Sequence, residues 1–537
     1  MILRFCKGAG VKGRLCFTIF LYILSTLSEV RGYRILSILP YNAKSHAIMF
    51  EALCKGLANR GHQVDVVGHF PLKKPVKNYT DIINLDDPSI PKLQNNLTYA
   101  YVKATALDRP VVPFLTSTFG AELCKFMDHP ELKKLIKNPP KDPPYDLLIG
   151  EVLAAHCFLA LGQHFKVPVV AIVTSPMWPW SSDFVANPDN PAYVPGVFSN
   201  LMAPMNFWER MTNTLDLISK KMQFYYYTRD QDEIIRKHLG PHALGVREAE
   251  RNVSLILVNS HYSLNGVRPF TTAVVEVGGI HIPKEIDPLP HDLQEWLDQS
   301  KDGFVYVSFG SMLKIESFSA EILHALYKSL GKLAPVRVLM KIAKPDELPP
   351  GLPSNVLVRS WIPQLGVLSH KNARVFFTHG GLMSTQEAIY CGVPMIGVPV
   401  FSDQPLNVAR YVNKNVAVAL LHNDMTEEKI DAAFEKVLGD PSYMAAAKKI
   451  SAEFRDRPMS PLDTGIFWVE YVVRHGGSNI RSPAMDLSWI QIALIDVFAV
   501  LILGLAVIAY LFQLFVKKLF AILVTGTEAT ARHKKIN

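Results

Sequence analysis

Cysteine is scarce in this chain and charge is thin. Six cysteines occur in 537 residues, and no two stand as Cys-x-x-Cys, which excludes zinc-ribbon and thioredoxin-type redox chemistry. Cys6 and Cys16 sit near the start. Cys54, Cys124, Cys157 and Cys391 are widely spaced and read as buried small hydrophobes, with one bridge possible. Charged residues make up 19% of the chain, and the excess of 56 Lys and Arg over 48 Asp and Glu is never gathered into a run. Nucleic-acid binding is therefore not expected. No compositional bias marks disorder, and the length suits two domains of ordinary size with appendages.

The ends carry the targeting signals. Arg4, Lys7, Lys12 and Arg14 precede an apolar run at residues 15–27, too short for a comfortable membrane span. Residues 1–32 therefore read as a secretory signal, cleaved between Ser25 and Gly32. Gly8, Gly10 and Gly13 match the dinucleotide G-x-G-x-x-G pattern, but they follow no strand and open no helix, so the match is set aside. Residues 497–516 hold no charge and are long enough to cross a bilayer, with Trp489 and Asp496 before them and Lys517 and Lys518 behind. This layout predicts a lumenal body, a juxtamembrane segment at 476–496, one membrane span and a cytosolic tail at 517–537; the alternative is a buried core helix. The final Lys534-Lys535-Ile536-Asn537 is similar to the dilysine retrieval signal of endoplasmic-reticulum membrane proteins, with a solvated basic tail as the alternative. Asn78, Asn96 and Asn252 open glycan acceptor sequons.

Between the ends, strands and helices alternate, which argues an α/β fold. A strand at 34–39 leads through Pro40-Tyr41-Asn42 to a helix beginning at Ser45-His46 and ending at Gly61, followed by a strand at 63–67. His46 thus lies beyond a strand's carboxyl end at a helix N-terminus, where open parallel sheets bind ligands. A solvated loop histidine is the plainer reading. Residues 168–175 form another buried strand. The aromatic, proline-rich stretch at 176–207 either lines an apolar pocket or packs as a surface loop. A helix is expected at 206–238, a strand at 254–259, and a linker at 275–282 into a second half. That half opens with a strand at 304–309 and the Gly310-Ser311 loop, continues through strands at 337–341 and 356–359, and ends in helices at 427–438 and 444–454. A helix at 463–475 then crosses back onto the first half.

The chain is organised around residues 361–404. Strand-type runs at 374–378 and 394–400 flank a helix at 384–390 closed by Gly392. The loop Thr378-His379-Gly380-Gly381 offers two glycines for close backbone approach and a helix N-terminus for an anion. Trp361 offers a flat face for a base and Gln364 a hydrogen bond. Asp403-Gln404 suits sugar hydroxyls. Ser384 to Glu387 also fits a capping box, so Glu387 has a structural alternative.

These residues resemble the donor-binding signature of the UDP-glycosyltransferases. His379 is followed by small residues, Glu387 stands eight positions on, Pro394 and Pro399 form a P-x-x-x-x-P segment, and Asp403-Gln404 closes it. The resemblance implies two Rossmann-like domains facing a cleft, the GT-B arrangement. An acceptor-binding domain would span 33–280 and a UDP-sugar-binding domain 281–475. It implies Trp361 on uracil, Gln364 and Glu387 at the ribose, Ser311, His379 and Ser384 with the Gly380-Gly381 turn at phosphate, and Asp403 and Gln404 at the sugar. Many relatives carry Asn where this chain has Met383. His46, in Leu39-Pro40-x-x-x-x-Ser45-His46, takes the place of the general base. Glu151 stands where an aspartate partner is usual, on a longer arm. No cofactor and no metal are expected. Likeness to insect detoxifying members, through Asn190-Pro-Ala-Tyr-Val-Pro195 and Ser460-Pro-Leu-Asp-Thr464, implies inverting transfer of glucose to a small lipophilic acceptor. Transfer of glucuronic acid, transfer to a lipid or steroid, and a non-catalytic UDP-sugar- or lipophile-binding protein are the alternatives. Homo-oligomerisation is left open.

Overall fold

The computed structural model describes residues 32–90 and 92–533. The signal layout, the Gly8 to Gly13 match and the Lys534-Lys535 pair fall outside them. The chain divides into two units, residues 1–481 and 482–537.

The first unit holds two parallel sheets. Strands β1 (Arg34–Ile38), β2 (Gln63–Gly68), β3 (Tyr79–Asn84), β4 (Leu147–Glu151), β5 (Val169–Val173), β6 (Val253–Val258) and β7 (Val274–Glu276) run in the order β3-β2-β1-β4-β5-β6-β7. Strands β8 (Phe304–Ser308), β9 (Arg337–Lys341), β10 (Val356–Arg359), β11 (Ala373–Thr378), β12 (Met395–Gly397) and β13 (Ala417–Ala419) form the second, ordered β10-β9-β8-β11-β12-β13. Every pairing is parallel. Helices cover both faces of such sheets, which is why the central strands are apolar throughout instead of alternating. In β5 the five residues Val-Val-Ala-Ile-Val are all wholly buried. Each sheet reverses its strand order once, between β1 and β4 and between β8 and β11. The crevice at the carboxyl ends of strands flanking such a switch point is where open α/β sheets bind ligands.

Helix α1 (Lys44–Asn59) follows β1, and Gly61 leaves it in the left-handed region at φ +95°. Asp146 joins β1 to β4 by accepting from the Arg34 backbone N–H at 2.8 Å. The helix expected at 206–238 breaks in two. Helix α2 (Phe207–Tyr227) starts in a capping box between Asn206 and Glu209 and stops where the Thr228 hydroxyl turns back onto the Phe224 carbonyl. A second helix, Gln231–Leu239, follows. The expected linker at 275–282 is displaced too, because its first residues belong to β7, paired with β6. In the central stretch, the second strand runs only over Met395–Gly397. Helix α3 (Leu382–Cys391) begins two residues early, with Gly381 at its N-cap and no side-chain cap. Ser384 thus lies inside its first turn and forms no capping box. Gly392 ends it at φ +70°, as expected. Helix α4 (Gln404–Asn413) follows β12.

Helix α5 (Pro461–His475) returns to the first sheet. Its Ile466, Val469 and Val472 lie in the first core, and it meets α1 at Gly56, where a Cβ would stand 2.8 Å from both Leu462 and Ile466. Cys124 and Cys157, both buried in the first half, form a disulfide, while Cys54 and Cys391 are free thiols. In the second unit, helix α6 (Ile495–His533) contains one apolar stretch, Ile495–Leu523, long enough to cross a membrane, and none of it is buried within the molecule. The helix outruns the span expected at 497–516.

Candidate active site

The carboxyl ends of the two sheets line one cavity of about 410 Å³, a size suited to a small-molecule site. From the first half it takes Tyr41, Ser45, His46, Thr174 and Ser175, with an apolar patch of Ile48, Val111, Phe114, Leu115, Phe119, Leu153 and Trp178. From the second half it takes Ser311, Lys341, Trp361, Gln364, His379, Gly381, Met383, Ser384, Glu387, Asp403 and Gln404, with His281 from the stretch after β7.

His46 sits in the first turn of α1 and Glu151 is the last residue of β4, so the switch point itself brings them together. His46 Nδ1–H donates to Glu151 Oε1 at 2.5 Å. Thr174, just beyond β5, closes the group: its hydroxyl donates to the same carboxylate oxygen at 2.9 Å and lies 2.7 Å from His46 Nδ1. With Nδ1 committed to these acceptors, the free lone pair of the neutral ring is on Nε2. The glutamate's longer arm thus reaches the imidazole. Tyr41 packs on the His46 ring at 4.0 Å between centroids.

His379, the first residue after β11, lies in a different setting. It is almost fully buried, and burial, with the nearby Lys341 charge, pulls its pKa down to about 4, so it is neutral at ordinary pH. Two glycines make room for it. A Cβ at Gly310 would stand 2.7 Å from His379 Cε1, and one at Gly381 2.6 Å from Nε2. At φ +82° Gly380 turns the chain, and its missing Cβ accommodates Val408 of α4; of Gly380 and Gly381, only Gly381 lines the cavity. The amides of the first turn of α3 lack intrahelical partners, which makes this a place for an anion.

Trp361 is half-exposed along the cavity wall. Beside it, Gln364 accepts from the Tyr306 hydroxyl at 3.3 Å and donates to Glu387 at 2.8 Å. His281 lies 3.3 Å from the other Glu387 oxygen. Glu387 is therefore part of a side-chain network and not a helix cap. Gln404 is largely spent on the loop, its oxygen accepting from the Val400 and Phe401 amides at 2.9 and 3.1 Å. Asp403 accepts from Asn407 at 2.8 Å, and burial raises its pKa although His46 acts the other way. Met383 reaches the first core, as an asparagine would not.

The aromatic loop at 176–207 mainly packs. Trp178, Trp180 and Phe184 are buried, the two tryptophans stacked on each other and Phe184 edge-on to His156; Tyr193 and Phe207 are exposed, and of these only Trp178 lines the cavity. Of the three sequons, Asn96 and Asn252 are exposed, whereas Asn78 is half-buried and donates its amide to the Ala58 carbonyl at 3.2 Å. Asp230-Gln231-Asp232 forms an Asp-x-Asp triplet, yet Asp232 accepts from the Val246 amide and Gln231 bonds Cys157 and Ala154, away from the cavity lining. Reading the sequence missed Thr174, Tyr41, His281 and Lys341. Thr174 and Lys341 lie at or just past the carboxyl ends of strands, the position that drew attention to His46.

Residues 132–529 match the family described as UDP-glucoronosyl and UDP-glucosyl transferase. UDP-glucosyltransferase 2 of Dactylopius coccus is 35% identical over 498 residues, covering 92% of this chain and 94% of that one. The 2-hydroxyacylsphingosine 1-beta-galactosyltransferase of Rattus norvegicus is 29% identical, covering 96% and 94%. Among solved structures, Arabidopsis thaliana UGT89C1 aligns over 82% of this chain and 100% of its own with a TM-score of 0.55 at 17% identity, a likeness of fold.

Proposed function

The chain belongs to the UDP-glucuronosyl and UDP-glucosyl transferase family and is a UDP-sugar glycosyltransferase; from that premise we propose that it transfers glucose, with inversion, to a hydroxyl of a small lipophilic acceptor. The observation that carries this reading is the pairing across one cavity. An imidazole whose Nδ1–H is held by Glu151 and Thr174 faces a glycine turn at a helix N-terminus. The uracil stacks on Trp361, the ribose meets Gln364 and Glu387, and the diphosphate lies on Ser311, His379, Gly381 and Ser384. His46 Nε2 takes the acceptor proton as the oxygen attacks the anomeric carbon, and the bond to UDP breaks on the opposite face. Glu151 stabilises the imidazolium that forms. Helix dipole and hydrogen bonds stabilise the departing diphosphate without a metal ion.

Likeness to UDP-glucosyltransferase 2 of Dactylopius coccus favours glucose over glucuronic acid as the sugar transferred. The apolar patch around Phe114, Phe119 and Trp178 supports a lipophilic acceptor, which suits conjugation of foreign or endogenous compounds. The apolar helix supports a single-span protein of the endoplasmic reticulum membrane, and the disulfide and the exposed sequons support a lumenal, glycosylated body. Membranes carrying the full chain, supplied with labelled UDP-glucose, UDP-glucuronic acid or UDP-galactose and a panel of phenols and steroids, test the reading. Glucoside formation that persists in EDTA is expected. Glucuronide as the main product, or activity abolished by EDTA and restored by manganese, would overturn the corresponding part.

A further inference from the structure

Lys341, the last residue of β9, is a buried cation without an anion. It is 6% exposed and lines the cavity. Among the described residues no carboxylate lies within ion-pair distance of its Nζ. That group donates instead to two neutral oxygens, Asn95 Oδ1 at 2.5 Å and the Gly310 carbonyl at 3.0 Å. A buried charge is costly unless paired, so the position calls for a negative ligand. Strand order supplies the reason it sits there: β9 neighbours β8, so Lys341 emerges beside the Gly310-Ser311 turn and acts electrostatically on His379.

Asn95 comes from the other half of the molecule. It belongs to a strap after β3 that leaves the first sheet, with the Leu93 amide bonded to the Asn42 carbonyl beside the His46 loop at 3.0 Å, and then lies along the second half. The Asn95 amide donates to Ser311 at 2.7 Å and the Leu97 amide to Met312 at 3.0 Å; Leu97 also accepts from the Lys314 amide at 2.9 Å. Asn95 itself is held at φ +53°, a region that asparagine tolerates better than most residues.

We infer that Lys341 supplies the positive charge that neutralises the donor's diphosphate, and that Asn95, reaching over from the acceptor half, is the positioning residue that aims it. The inference rests on the cavity binding a uridine diphosphate sugar. Burial holds the Lys341 pKa down to about 8, opposed by the more distant Glu316 carboxylate; on the strap its hydrogen-bond partner is the uncharged Asn95, and His379 on the β11 side is neutral. The ammonium form is the one that binds, and a bound diphosphate raises its pKa. Affinity for UDP should therefore be steady below pH 8 and fall above it.

The test is binding of UDP and of uridine to the full chain in detergent, from pH 6.5 to 9.5, for wild type and the Lys341→Met, Lys341→Arg and Asn95→Ala variants. Lys341→Met should weaken UDP by about 30-fold or more and leave uridine within about twofold, with no fall above pH 8. Lys341→Arg should keep most of the affinity and also lose that fall, since a guanidinium stays charged. Asn95→Ala should move the fall to lower pH, because the ammonium loses an acceptor, an effect that mere loosening of the strap would not produce. Unchanged UDP affinity in Lys341→Met, or weakening of uridine and UDP alike, would overturn the assignment. Failure of wild type to bind UDP at all would instead remove the donor-site reading beneath it.

Discussion

Two histidines line the crevice from opposite halves, His46 in the helix after β1 and His379 directly after β11, each beyond a strand that borders a switch point, and their surroundings set them to opposite tasks. His46 has its Nδ1–H committed to Glu151 and Thr174, an arrangement that fixes the ring and can balance a positive charge. His379 has no carboxylate partner among the described residues. It is enclosed between Gly310 and Gly381 near a lysine, so it stays neutral. One half is built to let an imidazole gain a proton during reaction; the other is built to prevent it. The residue type says nothing of this. The partners on neighbouring strands decide it.

Substitutions should separate the halves. His46→Ala should lower kcat by about a thousandfold and leave the UDP dissociation constant within about twofold; turnover near wild type would remove His46 from the chemistry. Glu151→Gln keeps the shape and loses the charge, and about a hundredfold loss in kcat is expected, with Glu151→Asp retaining more activity. Equal loss in both would mean that packing, not charge, is what Glu151 provides. Thr174→Val should cost less, about tenfold in kcat, without altering donor KM.

The second half should respond in binding. Gly381→Ala places a methyl against His379, and overpacking of about 1–3 kcal/mol should appear as a rise of about tenfold in donor KM; an unchanged KM would show that the ring has room to move. The smallest effect is on stability. The folded His379 value of about 4 lies below the ordinary 6.5, so the stability that comes from keeping the ring neutral is complete above pH 6.5 and is lost as pH falls toward 4. Thermal unfolding at pH 7 and pH 5 should therefore show a smaller acid loss, by roughly 1–2 kcal/mol, for His379→Asn than for wild type. His261, also held near 4, keeps some acid loss in both. Identical losses would contradict the environment described for His379.

Much of the fold was legible because parallel strands buried on both faces announce themselves as short apolar runs, and β1, β2, β6, β8, β9 and β10 fall within about a residue of expectation. Boundaries failed where a side chain acts locally in a way that periodicity does not encode. The Thr228 hydroxyl cuts the long helix, and the Gly381 N-cap moves Ser384 into a turn. The candidate site was legible where a motif fixes its spacing, as from His379 to Gln404. It was not legible where residues distant in sequence meet only through sheet order. Thr174 reaches His46 because β5 lies beside β4, and Lys341 reaches the Gly310 turn because β9 lies beside β8. Gly380 and Gly381 look alike in sequence, yet one accommodates Val408 and the other faces the cavity. That difference follows from α4 lying over the turn.

The configuration of the transferred sugar tests the central claim most directly. If His46 activates the acceptor from one half while the other half holds the departing diphosphate, attack comes from the face opposite UDP. An α-linked UDP-glucose must then give a β-glucoside, read from the anomeric proton by NMR. An α-glucoside would contradict the account.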